Sequence, residues 1–216
     1  MEGSPTYAGY LHLDEVLGAQ RPLSDRHDEL LFIVIHQASE LWFKLALHEL
    51  RAACGWLDSG RHRPALKAIA RVKAIQRTLT EQWTVLATMT PTEYAQFRDF
   101  LGPSSGFEST QYREMEAEMG HLYEAFQRWL GGDDLMARLR EVYADPEHHW
   151  EAYEACEELV DLEENFMGWR FRHLKTVERL IGNQRGTGGS SGVAFLRQAL
   201  DRSFFPELYA VRDDIG

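Results

Sequence analysis

Nine histidines and two cysteines are the metal-capable side chains of this 216-residue sequence, besides its carboxylates, and their spacing narrows what they can do. No His-Glu-x-x-His pair occurs, and the Glu-x-x-His spacing of a di-iron bundle occurs once, at Glu118 and His121, where two copies are needed. A protein site that surrounds a metal with several ligands is therefore not expected. The Cys-x-x-Cys-His attachment motif is missing too, so any haem would be held non-covalently by a side chain such as histidine. His36, His48 and His173 fall mid-helix among apolar or aromatic neighbours, whereas His12, His27, His62, His148 and His149 fall near helix ends or in connections. For any one of them alone, a hydrogen-bonded core role is the ordinary reading. Arg98 follows Tyr94 by one helical turn and precedes Leu101 by another, just ahead of Gly102-Pro103-Ser104-Ser105-Gly106. A guanidinium, a phenol and an apolar side chain on one face suit a carboxylate, which Arg grips through two parallel hydrogen bonds at any working pH. Phe32 and His36, again one turn apart, set an apolar wall beside an imidazole. Helix packing alone would produce both pairs, and no Ser-His-Asp or Cys-His arrangement can be singled out.

The elements that must position these groups are helices. Apolar residues recur at three-and-four spacing over Leu30 to Leu57, Pro64 to Met89 and, after Asp145-Pro146, up to Gly182. Shorter helices are expected over Pro91 to Leu101, Ser109 to Leu130 and Asp134 to Ala144, the first opened by Thr90 as N-cap with Glu93 three residues on. The last long helix would reach on the order of 54 Å at 1.5 Å per residue, against a radius of gyration of roughly 17 Å for a globule of this length. It must run along its neighbours or into a partner subunit. No stretch alternates as a strand does, so the fold class is all-α, a helical bundle forming one domain. Val193 to Arg212 reads as a short packed closing segment. The stretch from Gly186 to Gly192 lacks the lysine and preceding strand of a phosphate loop and, taken alone, reads as a flexible linker.

Composition excludes several classes. With 23 basic against 34 acidic residues the net charge is −11, which disfavours nucleic acid as a partner. No apolar run approaches the ~20 residues of a membrane span and the N-terminus lacks a signal-peptide pattern, so the expectation is a cytoplasmic protein with no membrane partner. Cys54 and Cys156, each within a helical pattern, read as small core residues rather than a disulfide.

At the first long helix the sequence reads His27-Asp28-Glu29-Leu30-Leu31-Phe32-Ile33-Val34-Ile35-His36-Gln37 and then Glu40-Leu41-Trp42-Phe43-Lys44. This run closely resembles the haem-dependent tryptophan 2,3-dioxygenase family and its His-Gln-x-x-Glu-Leu-Trp signature. Further blocks agree in the same order: Tyr7 to Leu11, Met89 to Pro91 with Tyr94 and Phe97-Arg98-Asp99, and Gly102 to Phe107 with Gln111-Tyr112-Arg113. Trp169-Arg170-Phe171-Arg172-His173 leading into Gly186 to Gly192 completes the set.

The resemblance implies that His173 is the proximal ligand to the iron of haem b and His36 the distal histidine beside the substrate indole. It implies that Arg98 grips the substrate carboxylate, Thr187 bonds the amino acid end, and Tyr94 supports that corner. Phe32 and Leu101 would pack on the indole, and Ser105 would lie near the haem and oxygen site. Tyr7, Tyr10 and Leu11 would reach a neighbouring subunit's pocket from an N-terminal arm of residues 1–24, which implies a homotetramer. The Gly-rich stretch would then be a segment that closes over substrate rather than a linker. The implied reaction inserts both atoms of O2 across the indole C2–C3 bond of L-tryptophan to give N-formylkynurenine. A single-oxygen reaction on tryptophan or a substituted tryptophan would need the same haem, slot and clamp. A haem-binding sensor is a third reading, although it has no evident need for a complete amino acid clamp. The chain departs from typical bacterial members between Arg113 and Trp150, where it is much shorter.

Overall fold

The computed structural model describes residues 6–187 and 192–215. Two five-residue helices, α1 (Tyr7–Leu11) and α2 (Leu13–Leu17), precede α3 (His27–Asp58), α4 (His62–Leu86), α5 (Pro91–Arg98), α6 (Thr110–Leu130), α7 (Leu135–Ala144), α8 (Trp150–Ile181), α9 (Val193–Leu200) and α10 (Pro206–Ala210). Three 3-10 turns, at Asp99–Leu101, Gly106–Glu108 and Val211–Asp214, link or end them, and no strand occurs among the described residues. The expected all-α bundle is the one observed.

Four long helices make the bundle, and side-chain pairs fix their directions. Gln82 with Ser39 and Arg71 with Glu49 set α4 antiparallel to α3. Gln111 with Glu40 and Arg128 with Asp58 set α6 parallel to α3, while Lys73 with Asp161 and Trp83 with His173 set α8 parallel to α4. One end of the bundle therefore gathers the early turns of α3 and α6 and the late turns of α4 and α8. The buried stripes that hold it together include Phe43, Leu47, Leu50 and Leu57 on α3, Ile69, Val72 and Leu79 on α4, Leu122 and Phe126 on α6, and Leu159, Leu162 and Phe166 on α8. Each such side chain removed from water contributes roughly 1.5–3 kcal/mol, so four facing stripes dominate the stability.

Local chemistry sets the ends. Thr90 and Glu93 form the expected capping box at α5, with the Glu93 carboxylate 2.7 Å from the Thr90 nitrogen. Ser109 and Asp134 cap α6 and α7 more simply, each side chain accepting one backbone N–H, from Tyr112 and Ala137, at 3.1 Å. At the start of α8, Asp145 instead organises a separate turn, accepting from the His148 nitrogen at 3.1 Å, so the helix proper begins at Trp150. Its 32 residues span roughly 48 Å at 1.5 Å each, shorter than the spacing suggests. Glu163, buried at mid-helix, accepts from the Phe204 and Phe205 nitrogens at 3.0 Å each and so fastens the closing segment. Cys156 is buried and Cys54 half-buried, as expected of core residues, and burial pushes their thiols up to about 12 and about 11.

One stretch of α3 is long and apolar enough to cross a membrane by composition, which the sequence reading did not anticipate. Here α3 is the central helix, packed against both α4 and α6. Its surplus apolar side chains, Leu30, Val34, Leu41 and Leu45, remain exposed.

Candidate active site

His36 sits on α3 one turn after Phe32, and its Nδ1 lies 2.7 Å from the Phe32 carbonyl oxygen. A carbonyl can only accept, so Nδ1 carries the proton and Nε2 is left as an acceptor. Burial pushes the His36 pKa down, against the smaller upward pull of that hydrogen bond and of Glu40, so the ring is neutral at working pH. In the late part of α8, His173 is neutral for the same reason. Burial, helped by His36 nearby, lowers it to about 4.

An indole joins the two imidazoles. Trp83 of α4 stacks on His173 with ring centres 4.9 Å apart and meets His36 edge-on at 6.2 Å. Trp169, one turn before His173, stacks on its ring at 5.5 Å, and Phe43 and Tyr112 pack behind Trp169. Among the described residues the His173 imidazole has aromatic contacts and no hydrogen-bond partner. A neutral, unpartnered imidazole between flat apolar walls fits a haem, which needs one basic nitrogen on the iron and a dry surround. A second neutral imidazole close by, with its own acceptor nitrogen, completes that donor set.

The polar corner adjoins this cluster of rings. Phe32 packs on Tyr94 at 5.9 Å and on Phe97 at 5.7 Å, and Tyr94 meets Phe97 edge-on at 5.4 Å. Burial raises the Tyr94 pKa while the Arg98 charge beside it pulls the other way. Arg98, at the end of α5, donates to Gln184 and to the Arg185 carbonyl, and the Thr187 hydroxyl donates to the Ser104 carbonyl. The segment after α8 is thereby tied to the loop after α5. Leu101 packs on the core edge, and the Ser105 nitrogen donates to Glu108 at 3.1 Å. The structure thus links Phe32, His36, Tyr94 and His173 through one continuous set of ring contacts, with Arg98 beside Tyr94 and Thr187 against the neighbouring loop.

It does not gather the arm. Tyr7 and Tyr10 are 77% and 73% exposed, Leu11 is exposed as well, and α1 and α2 pack mainly on each other. Residues 1–5 of the arm and 188–191 of the Gly-rich stretch lie outside the described residues. Trp83, Phe97 and Gln184 were not singled out from the sequence. Trp83 and Phe97 sit on apolar stripes that read as core, and nothing in local spacing marks a stack on His173 from another helix. Two solvent-open hollows of about 390 and 460 Å³ lie elsewhere, one at the far end near Trp129 and Trp150 and one between α4 and α8 near Arg77 and Asp161. Neither includes His36 or His173.

The class that the fold and these residues define is an all-α helical bundle with two neutral imidazoles among aromatic rings, beside an arginine on a short helix. The family model described as tryptophan 2,3-dioxygenase matches residues 1–129 and 128–215. The chain belongs to that family. It is 54% identical to a tryptophan 2,3-dioxygenase of Kineococcus radiotolerans over 98% of this chain and 91% of the relative. It is 50% identical to one from Arthrobacter sp. strain FB24 over 98% and 92%, and 45% identical to one from Xanthomonas campestris pv. campestris over 100% and 89%. An alignment of 261 positions exceeds the 216 residues here, so the relative carries residues that this chain lacks. The family match divides at residues 128–129, the end of α6, which puts the shortening inside the 114–149 region.

Proposed function

We propose that this chain is a haem-dependent dioxygenase that opens the indole C2–C3 bond of L-tryptophan with O2, giving N-formylkynurenine. The observation that carries the reading is the pair of neutral imidazoles, His36 and His173, joined by Trp83 in one aromatic cluster next to Tyr94 and Arg98. Bound haem would supply the activation of O2, with His173 as its protein ligand and Ser105 nearby. The other roles belong to the chain's own residues. With Nδ1 committed to the Phe32 carbonyl, His36 offers Nε2 as acceptor to the indole N–H. It orients the ring and is not an indispensable base, because electrophilic attack on the ring can precede proton loss. Arg98 holds the carboxylate, Thr187 the amino acid end, and Tyr94 steadies that corner. Phe32 and Leu101 form the apolar slot that keeps water from the reacting carbons.

The assembly follows from what one protomer leaves exposed. Tyr7, Tyr10 and Leu11 would enter a neighbour's pocket, and the apolar face of α3 would be covered by another copy, in a homotetramer. The substrate and cofactor give no role to nucleic acid or membrane. Reconstitution tests the central assignment. His173→Ala is expected to lose bound haem and turnover together, whereas His36→Ala keeps haem and loses only part of kcat. Normal haem content in His173→Ala would remove the proposal's foundation.

A further inference from the structure

The guanidinium of Arg98 is already engaged within the chain. One terminal nitrogen donates to the Gln184 side-chain oxygen at 2.7 Å and the other to the Arg185 main-chain carbonyl. Two oxygens therefore sit on the two terminal nitrogens in the way a carboxylate presents its pair. Thr187 is engaged too, its hydroxyl donating to the Ser104 carbonyl. Both groups assigned to the amino acid end of the substrate are thus satisfied by the chain itself.

The surrounding backbone explains how such an engagement can be both defined and reversible. Gly182, at φ +57°, ends α8 and turns the chain back towards α5. Gly192, at φ +62°, lies so close to this segment that a Cβ there would come within 2.6 Å of the Gln184 carbonyl oxygen. The main chain at Gln184 is held, while its side chain is exposed and bound to Arg98 by one bond to a neutral amide. A carboxylate brings two oxygens and its own negative charge to the same fork, and a bond between two ions is stronger than one from a charged donor to a neutral acceptor, so exchange runs in its favour.

We propose that the Gln184 amide and the Arg185 carbonyl are an internal placeholder for the substrate carboxylate, and that substrate binds by displacing them from Arg98. The inference rests on the reading of Arg98 as the carboxylate clamp. It makes Gln184 a specificity-determining residue. Apparent affinity is reduced by the fraction of molecules in which Arg98 is released, and only a ligand bringing two carboxylate oxygens recovers the loss. A ligand with the indole and amine alone has nothing to exchange for the placeholder.

The test compares the haem-loaded full chain with Gln184→Ala, Gln184→Glu and Arg98→Ala. L-tryptophan binding is read from the visible absorbance change, KM and kcat from turnover, and tryptamine, which lacks the carboxylate, from its inhibition constant. Gln184→Ala is expected to tighten L-tryptophan about threefold, and Gln184→Glu, which sets a carboxylate on the clamp, to weaken it tenfold or more. Both effects fall on KM, and tryptamine moves less than twofold. Gln184→Ala is decisive, because removing an oxygen cannot repel the substrate. If Arg98→Ala weakens L-tryptophan while Gln184→Ala leaves it unchanged or weaker, the placeholder is wrong and the clamp stands. If Arg98→Ala has no effect, the clamp reading fails and the placeholder with it. Equal shifts for tryptamine and L-tryptophan would also overturn the inference.

Discussion

A single hydrogen bond decides what His36 can do. Because Nδ1 donates to the Phe32 carbonyl and burial keeps the ring neutral, the only function left at Nε2 is acceptance. That suits an indole N–H and makes the residue an orienting one. His36→Gln, whose amide oxygen can also accept, should therefore retain more kcat than His36→Leu, as steady-state turnover would reveal. Equal loss in both would contradict the acceptor role. Arg98→Ala removes two charge-assisted bonds to a carboxylate, each about 1.5 kcal/mol, and should raise the KM for L-tryptophan roughly 100-fold. Much of this site was legible in the sequence, but through the motif rather than through periodicity. Spacing alone left His36 and His173 as ordinary core histidines. It could not show Trp83 stacked on His173, because that contact joins two helices distant in the chain. Gln184 was invisible for a related reason, since its partner Arg98 stands 86 positions earlier.

Elements position these residues through a few buried charges. Arg170 on α8, one turn before His173, is 4% exposed and donates to Glu116 of α6 at 2.5 Å and to the Ala199 carbonyl at the end of α9 at 2.8 Å. It also lies over the Phe166 and Phe204 rings. Arg170→Met strands a partly buried carboxylate and should cost about 3 kcal/mol in denaturant unfolding. Adding Glu116→Gln should return part of that loss, and full additivity of the two changes would deny the coupling. At the start of α3, buried Glu29 accepts from the Leu23 and Ser24 nitrogens and the Ser24 hydroxyl, fixing how the arm leaves the bundle. Burial alone would raise its pKa, but these three bonds outweigh it and lower it from 4.5. The stabilisation is present above that value and is lost as the pH falls through the lower, folded one. Glu29→Gln should therefore lower the urea midpoint at pH 7 and approach the unsubstituted chain as the pH falls through the lowered, folded value. A difference independent of pH would exclude the carboxylate as its source. The long helices were readable because each buries a continuous stripe. The five-residue α1 and α2 were not, since such short helices carry no period and bury no residue of their own. The start of α8 was misplaced because an Asp-Pro pair caps a lone turn as readily as a helix.

At the scale of the whole molecule, the two imidazoles lie at one end of the bundle and the family match divides at the end of α6, near the other. In the proposed homotetramer, further copies of the chain would cover the exposed arm and the exposed apolar side chains of α3. Sedimentation should give a tetramer, and Tyr7→Ala combined with Tyr10→Ala should raise the KM for L-tryptophan without loss of haem. A monomer with full activity would refute the shared pocket. The central claim concerns oxygen. Reduced, haem-loaded protein is mixed with L-tryptophan and isotopically labelled O2, and the product mass is determined. The account predicts N-formylkynurenine carrying two labelled atoms. A product carrying one labelled atom would contradict it and make the chain a single-oxygen enzyme built on the same site.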